Sequence, residues 1–160
     1  MSLKTTGCNA AQNAIGHTFG NTALLLEALD TTGMRTNESN QRLAMLGDAL
    51  LKMILLDGWY AGSAPKGLHG AVYRSTHSRS QHTGQGNNLV STTGSNANLA
   101  VGALDAGIDQ HVILHPGHIG KVSDKTLATT VEAILGAVYL DTAKDVDAVS
   151  RTMALLGLNI

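Results

Sequence analysis

The chain has 160 residues, 43% of them hydrophobic, with one Trp, three Tyr and one Phe, and charged residues make up 14%. That is enough apolar material for one compact domain and too little charge for a disordered or polyelectrolyte chain. Eleven Lys and Arg against twelve Asp and Glu leave a net charge of −1, so no global positive field exists to hold a phosphate backbone, and nucleic-acid binding would need a local patch.

The single Cys8 excludes an internal disulfide and a C-x-x-C zinc site, and a reducing compartment is the simplest expectation. The longest apolar run, Ala49 to Leu56, is interrupted by Lys52 and closed by Asp57, well short of the roughly 20 residues of a membrane span. The first residues lack a signal-peptide core, so the expectation is a soluble, intracellular protein with no membrane partner. Leu and Ala dominate the apolar set while β-branched and aromatic residues are sparse, which predicts an all-α fold.

In chain order, Asn21 followed by TALLLEAL reads as an N-cap and a two-turn helix ending near Asp30. From Asn40 to Tyr60 the pattern predicts a helix apolar on two sides. Leu43, Leu46, Leu50, Leu51 and Ile54 form one face, and Met45, Ala49, Met53 and Leu56 the other. Such a helix is buried either centrally or against a second subunit. Asp48 interrupts it between Ala44 and Lys52, and a carboxylate there needs a partner, a solvated cleft or a metal. Gly47 costs about 1 kcal/mol of helix propensity relative to Ala, which close approach of another helix would offset.

Ser75 to Asn88 contains no apolar residue and is expected to be a mobile loop or an extended solvated connection; Ser91 to Asn98 is nearly as polar. Asn98 to Ala106 predicts a short helix ended by Gly107, and His111 to Gly120 a loop. His111, His115 and His118 have metal-like spacing, but Pro116 prevents one helix from presenting all three, and a solvated loop is expected. From about Thr126 to Asp141 a second strongly apolar helix carries a seam of Thr129, Ala133, Gly136 and Ala137, with Glu132 beside it. If the two small-residue patches face each other, Asp48 comes near Glu132. A final amphipathic helix spans Lys144 to Leu156. One domain over residues 1–160 is expected.

Three segments resemble the ribonuclease III endonuclease domain. NQRLAMLGDALL at Asn40 to Leu51 is similar to that family's signature N-E-R-L-E-F-L-G-D-x-x-L. SDKTLATTVEAILGAVYLD at Ser123 to Asp141 is similar to its second acidic motif, S-D-K-x-x-A-D-x-x-E-A-x-x-G-A-x-Y-L-D. IGHTFGNTALLLEAL at Ile15 to Leu29 resembles its opening helix. The resemblance implies an all-helical domain that forms a homodimer through the signature helix and cleaves double-stranded RNA with Mg²⁺ held by four acidic residues. In that chemistry carboxylate oxygens surround a hard cation, which activates water and stabilises the leaving oxygen.

Carried over position by position, Asp48 and Glu132 match the motifs' acids as catalytic and metal-ligating residues. Ala44 stands where the signature has its second glutamate, Thr129 where the second motif has its aspartate, and Gln41 where the signature has its first glutamate. Ala gives no ligand and Thr a neutral oxygen, so the formal charge of the site falls from about −4 to about −2 and Mg²⁺ is held more weakly. Met45 replaces the Phe of the seam, a pocket Met also fills. No double-stranded-RNA-binding domain is expected in these 160 residues.

Two readings compete with RNA cleavage. Asp48 and Glu132 could serve as an acid/base pair on a small organic ligand in a cavity enlarged by Ala44 and Thr129, helped by Lys125 or a histidine. Alternatively they are relics tied to Lys52, Lys125 or backbone in an inert dimeric scaffold. A wide positive trough across the dimer would favour RNA, a closed apolar pocket around the two acids a small ligand.

Overall fold

The computed structural model describes residues 3–36, 38–63 and 79–158. They form seven α-helices: α1 (Leu3–Ile15), α2 (Thr22–Leu29), α3 (Gln41–Ser63), α4 (Arg79–Thr93), α5 (Asn96–Asp105), α6 (Asp124–Asp141) and α7 (Val146–Leu155). A single 3₁₀ turn, Ile108–Gln110, follows α5. The only pairing of extended backbone among the described residues is an isolated bridge between Asp30 and Ile113. The all-α expectation holds. No helix among the described residues is long and apolar enough to cross a membrane.

α6 is the central element. Leu127, Ala128, Thr130, Val131 and every residue from Ala133 to Val138 are buried, and α2, α3, α5 and α7 pack around it. Its start is set by Ser123, whose side chain accepts from the Thr126 N–H. α2 begins in the same way, with the Asn21 side chain accepting from the Ala23 N–H.

α3 crosses α6 most closely of all, and two glycines make the crossing. A Cβ at Gly47 would collide with the carbonyl oxygen of Glu132, and one at Gly136 with the carbonyl oxygen of Leu43. This crossing offsets the helix propensity that Gly47 forfeits, and it places Asp48 and Glu132 on the same side of the contact.

The two faces of α3 have different fates. Leu43, Leu50 and Leu51 are buried and Leu46 and Ile54 half-buried, whereas Met45 is 76% exposed, and Ala49, Met53, Leu56 and Tyr60 are exposed too. α3 starts after Asn40, which is buried. Its side-chain amide turns inward to donate to the Ala28 carbonyl, tying the entry of α3 to the end of α2.

Two buried carboxylates fix the connections. Asp30 accepts from the N–H groups of Thr32, Gly33 and Arg35 and from the Thr32 hydroxyl. Burial raises its pKa, but these donors outweigh burial and hold it below the usual carboxylate value. Asp141, at the end of α6, accepts from His17 Nε2 at 2.8 Å and from the N–H groups of Gly20 and Asn21.

The structure corrects one expectation. Arg79 to Asn88, read as loop, is the first ten residues of α4, while positions 75–78 lie outside the described residues. Leu89 and Val90 anchor α4 on the core, and Gly86 lies against the indole of Trp59, so tertiary packing makes helix where composition argues against it. α5 begins two residues earlier than expected, capped by Ser95, and Gly107 ends it at φ 70°. His111 to Gly120 is a loop apart from the Ile113 bridge.

Candidate active site

The α3/α6 crossing opens into a cleft of about 430 Å³. α3 contributes Gln41, Ala44, Met45, Asp48 and Lys52, which recur every three or four residues and so share one edge of the helix. α6 contributes Thr129 and Glu132, and Val90, Ser91, Gly94 and Asn96 close the far side from α4 and the start of α5. The expected meeting of Asp48 with Glu132 is thus realised, with Ala44, Gln41 and Thr129 in the same lining.

The two carboxylates have different surroundings. Asp48 Oδ2 lies 2.6 Å from the Lys52 ammonium one turn on, a half-exposed pair. Among the described residues Glu132 has neither a hydrogen-bond nor an ion-pair partner. Burial, chiefly, and then the nearby Asp48 charge push its pKa up to about 7, with Lys52 pulling the other way. Glu132, raised to about 7, thus sits near its midpoint at neutral pH, which suits proton exchange with a bound group.

A second cleft of about 380 Å³ shares Gln41 and Thr129 with the first and continues to Lys125, Thr126, Ser123, His115 and His118. Lys125 thus belongs to this neighbouring cleft and is absent from the lining around Asp48. His115 and His118 are exposed in the loop, with His115 Nδ1 accepting from the Gly117 N–H. His111 does not line either cleft. Among the described residues no three His, Cys, Asp or Glu side chains converge as a metal site.

The donor set does not suit a hard dication. Ala44 offers no oxygen, Gln41 and Thr129 offer neutral ones, and the Asp48 carboxylate already holds an ammonium. Mg²⁺ demands near-ideal octahedral oxygen coordination and is bound through carboxylates that offset its charge.

Sequence reasoning missed Ser91 and Asn96, because no pattern in a polar stretch signals which residues face a cleft on another helix. The Lys52 contact was legible, since Asp48 and Lys52 stand at i and i+4.

Comparison with known proteins agrees with this arrangement. The family model described as the ribonuclease III domain matches residues 41–143. Ribonuclease 3 of Nitrosococcus oceani is 32% identical over 140 residues, covering 86% of this chain and 53% of that protein. Ribonuclease 3 of Shewanella denitrificans is 32% identical over 130 residues, covering 79% and 50%. The chain therefore spans about half the length of these relatives. Among solved structures, the nuclease domain of ribonuclease III from Campylobacter jejuni superposes with a TM-score of 0.72 at 20% identity, over 92% of each chain. A second structure of that domain, described for structural flexibility in the region involved in dimer formation, gives 0.72 at 19% identity. With its fold, its Gly47/Gly136 crossing and its two motifs in order, the chain belongs to the ribonuclease III domain family.

Proposed function

We propose that this protein binds double-stranded RNA along the joined clefts, with Asp48 and Glu132 as the carboxylates facing the bound strand. The observation that carries the reading is the shape and chemistry of the groove. Two clefts share Gln41 and Thr129 and run on to Lys125 and the loop histidines, an open groove of mixed lining rather than a closed apolar pocket, with Lys52 and Lys125 as its lysines. The amides, hydroxyls and two lysines of this lining, which also holds the Asp48 and Glu132 carboxyl groups, can make the shape, phosphate and 2′-hydroxyl contacts of an A-form duplex. Of the four acids that the family resemblance assigns to metal chemistry this chain keeps Asp48 and Glu132, a donor set that does not suit Mg²⁺, so duplex binding rather than cleavage is the proposed activity.

The active form in this reading is a homodimer built on α3. Met45, Met53, Leu56 and Tyr60 leave an exposed apolar stripe on that helix, larger than a solvated face needs. The relative described for its dimer-forming region is a nuclease domain of the same fold.

One observation favours a second reading, acid/base work on a small organic ligand: Glu132 has no partner among the described residues, is half-buried and is raised to about 7. Titrating the folded protein with a labelled RNA duplex, the matching DNA duplex and a single strand, then adding Mg²⁺ or Mn²⁺ beside Asp48→Asn and Glu132→Gln, separates the readings. Selective retention of the RNA duplex supports the proposal, and metal-dependent cutting lost in both variants extends it to catalysis. No binding of any nucleic acid overturns it and leaves the small-ligand and scaffold readings.

A further inference from the structure

The cleft that lacks two of its family's acids carries a cation of its own. Lys52 Nζ sits 2.6 Å from Asp48 Oδ2, and Lys52 is the cationic residue among the described lining of that cleft. An ammonium has three donors, so the contact to Asp48 leaves others for a ligand. Lys52 is half-exposed, hence its head can be reached without unfolding anything. Across the cleft stand the neutral Ser91, Asn96 and Thr129 together with Glu132, whose pKa is pushed up to about 7, and Ala44 leaves room where a further carboxylate would repel an anion.

We infer that Lys52, oriented by Asp48, takes a phosphate oxygen of the bound strand in place of a divalent cation, so that this protein engages RNA duplexes without metal. Asp48 then acts as a positioning residue: it holds the ammonium at the cleft edge, where a free lysine would sample many rotamers. Gln41 on the same helix and Ser91 and Asn96 on the far side supply neutral hydrogen-bonding groups for the sugar and the adjoining phosphate. This inference rests on the duplex-binding reading of the same cleft.

The test is a fluorescence anisotropy titration of a labelled RNA duplex in EDTA and again in Mg²⁺, at several salt concentrations, with wild type, Lys52→Met and Lys52→Arg, each checked for its helical spectrum and melting. Expected are equal wild-type affinities with and without Mg²⁺. Lys52→Met should weaken binding about tenfold, the order of one charge-assisted hydrogen bond. It should also lower the slope of log K against log salt by about 0.9 for each phosphate that the variant no longer neutralises. Lys52→Arg should stay near wild type.

Wild-type binding that requires Mg²⁺, or binding in EDTA that is indifferent to Lys52→Met, overturns this inference alone. Absence of wild-type binding in both buffers overturns the duplex reading and this inference with it.

Discussion

Gly47 of α3 meets the backbone of Glu132 on α6, and a side chain at Gly47 would occupy the position of the Glu132 carbonyl oxygen. The glycine lets the two helices approach closely enough to bring the next residue, Asp48, into the same cleft as the Glu132 carboxylate. Packing and chemistry therefore depend on one contact. Gly47→Ala and Gly136→Ala should each destabilise the fold by about 1–3 kcal/mol or more through overpacking against backbone. Gly62, on the same helix, where a Cβ would meet nothing within 4 Å, provides the control. Gly62→Ala should be neutral or stabilising by up to about 1 kcal/mol. Urea unfolding of the three variants checks this.

Glu132 makes stability fall as pH rises. Its pKa is raised in the folded protein from 4.5 to about 7, so the folded state holds a proton there that the unfolded state releases. The penalty is absent below about pH 4.5, accumulates between the two values and is complete above about 7. Glu132→Gln removes it. The melting temperature of the variant relative to wild type should rise between pH 5 and pH 8, and a difference that stays constant over this range would contradict the assignment.

Asp141 acts in the opposite sense. Burial raises its pKa, but the N–H groups of Asn21 and Gly20 and the His17 ring outweigh it, and the net value is lowered. The stability this confers is complete above the ordinary carboxylate value of 3.8 and is lost as pH falls through the lowered one. Asp141→Asn should cost about 1–3 kcal/mol at neutral pH, because the turn from His17 to Asn21 loses charged acceptors for its donors. The difference from wild type should shrink in acid, as measured by thermal melting from pH 7 to pH 3.

The exposed stripe on α3 sets the oligomeric state in the proposed dimer. Met53→Glu combined with Leu56→Glu should convert that dimer to a monomer in sedimentation equilibrium while leaving the helical spectrum intact. These two positions lie outside the cleft lining, so a change in RNA binding by this variant would report on dimerisation.

Much of the fold is legible in the sequence through simple physics. The periodic apolar faces of α2, α3, α6 and α7, the cap Asn21, and the small-residue patches that anticipate the Gly47/Gly136 crossing are all readable from spacing, whereas the Ser123 cap sets the start of α6 two residues before the expected Thr126. Asp48 and Glu132 follow from the same patches. α4 escapes because Arg79 to Asn88 carries no apolar residue; its helix rests on Leu89, Val90 and the fit of Gly86 to Trp59, which are tertiary contacts. α1 gives no clear period, its LKTTGCNAAQNAI mixing Thr, Gly and Asn. The Cys8 thiol lies outside the described side chains. Lys125, named as a partner for the acids, stands in the second cleft with Thr129, two turns of α6 before Glu132.

Whether duplex RNA lies in the joined clefts is tested most directly by amide chemical-shift mapping of the labelled protein with an unlabelled RNA duplex. Perturbations centred on Gln41, Asp48, Lys52, Ser91, Thr126 and Thr129 are expected. Shifts confined to the separate groove between Ile54, Gly58, Ser150 and Leu158, or no shifts at excess duplex, would contradict RNA binding in these clefts.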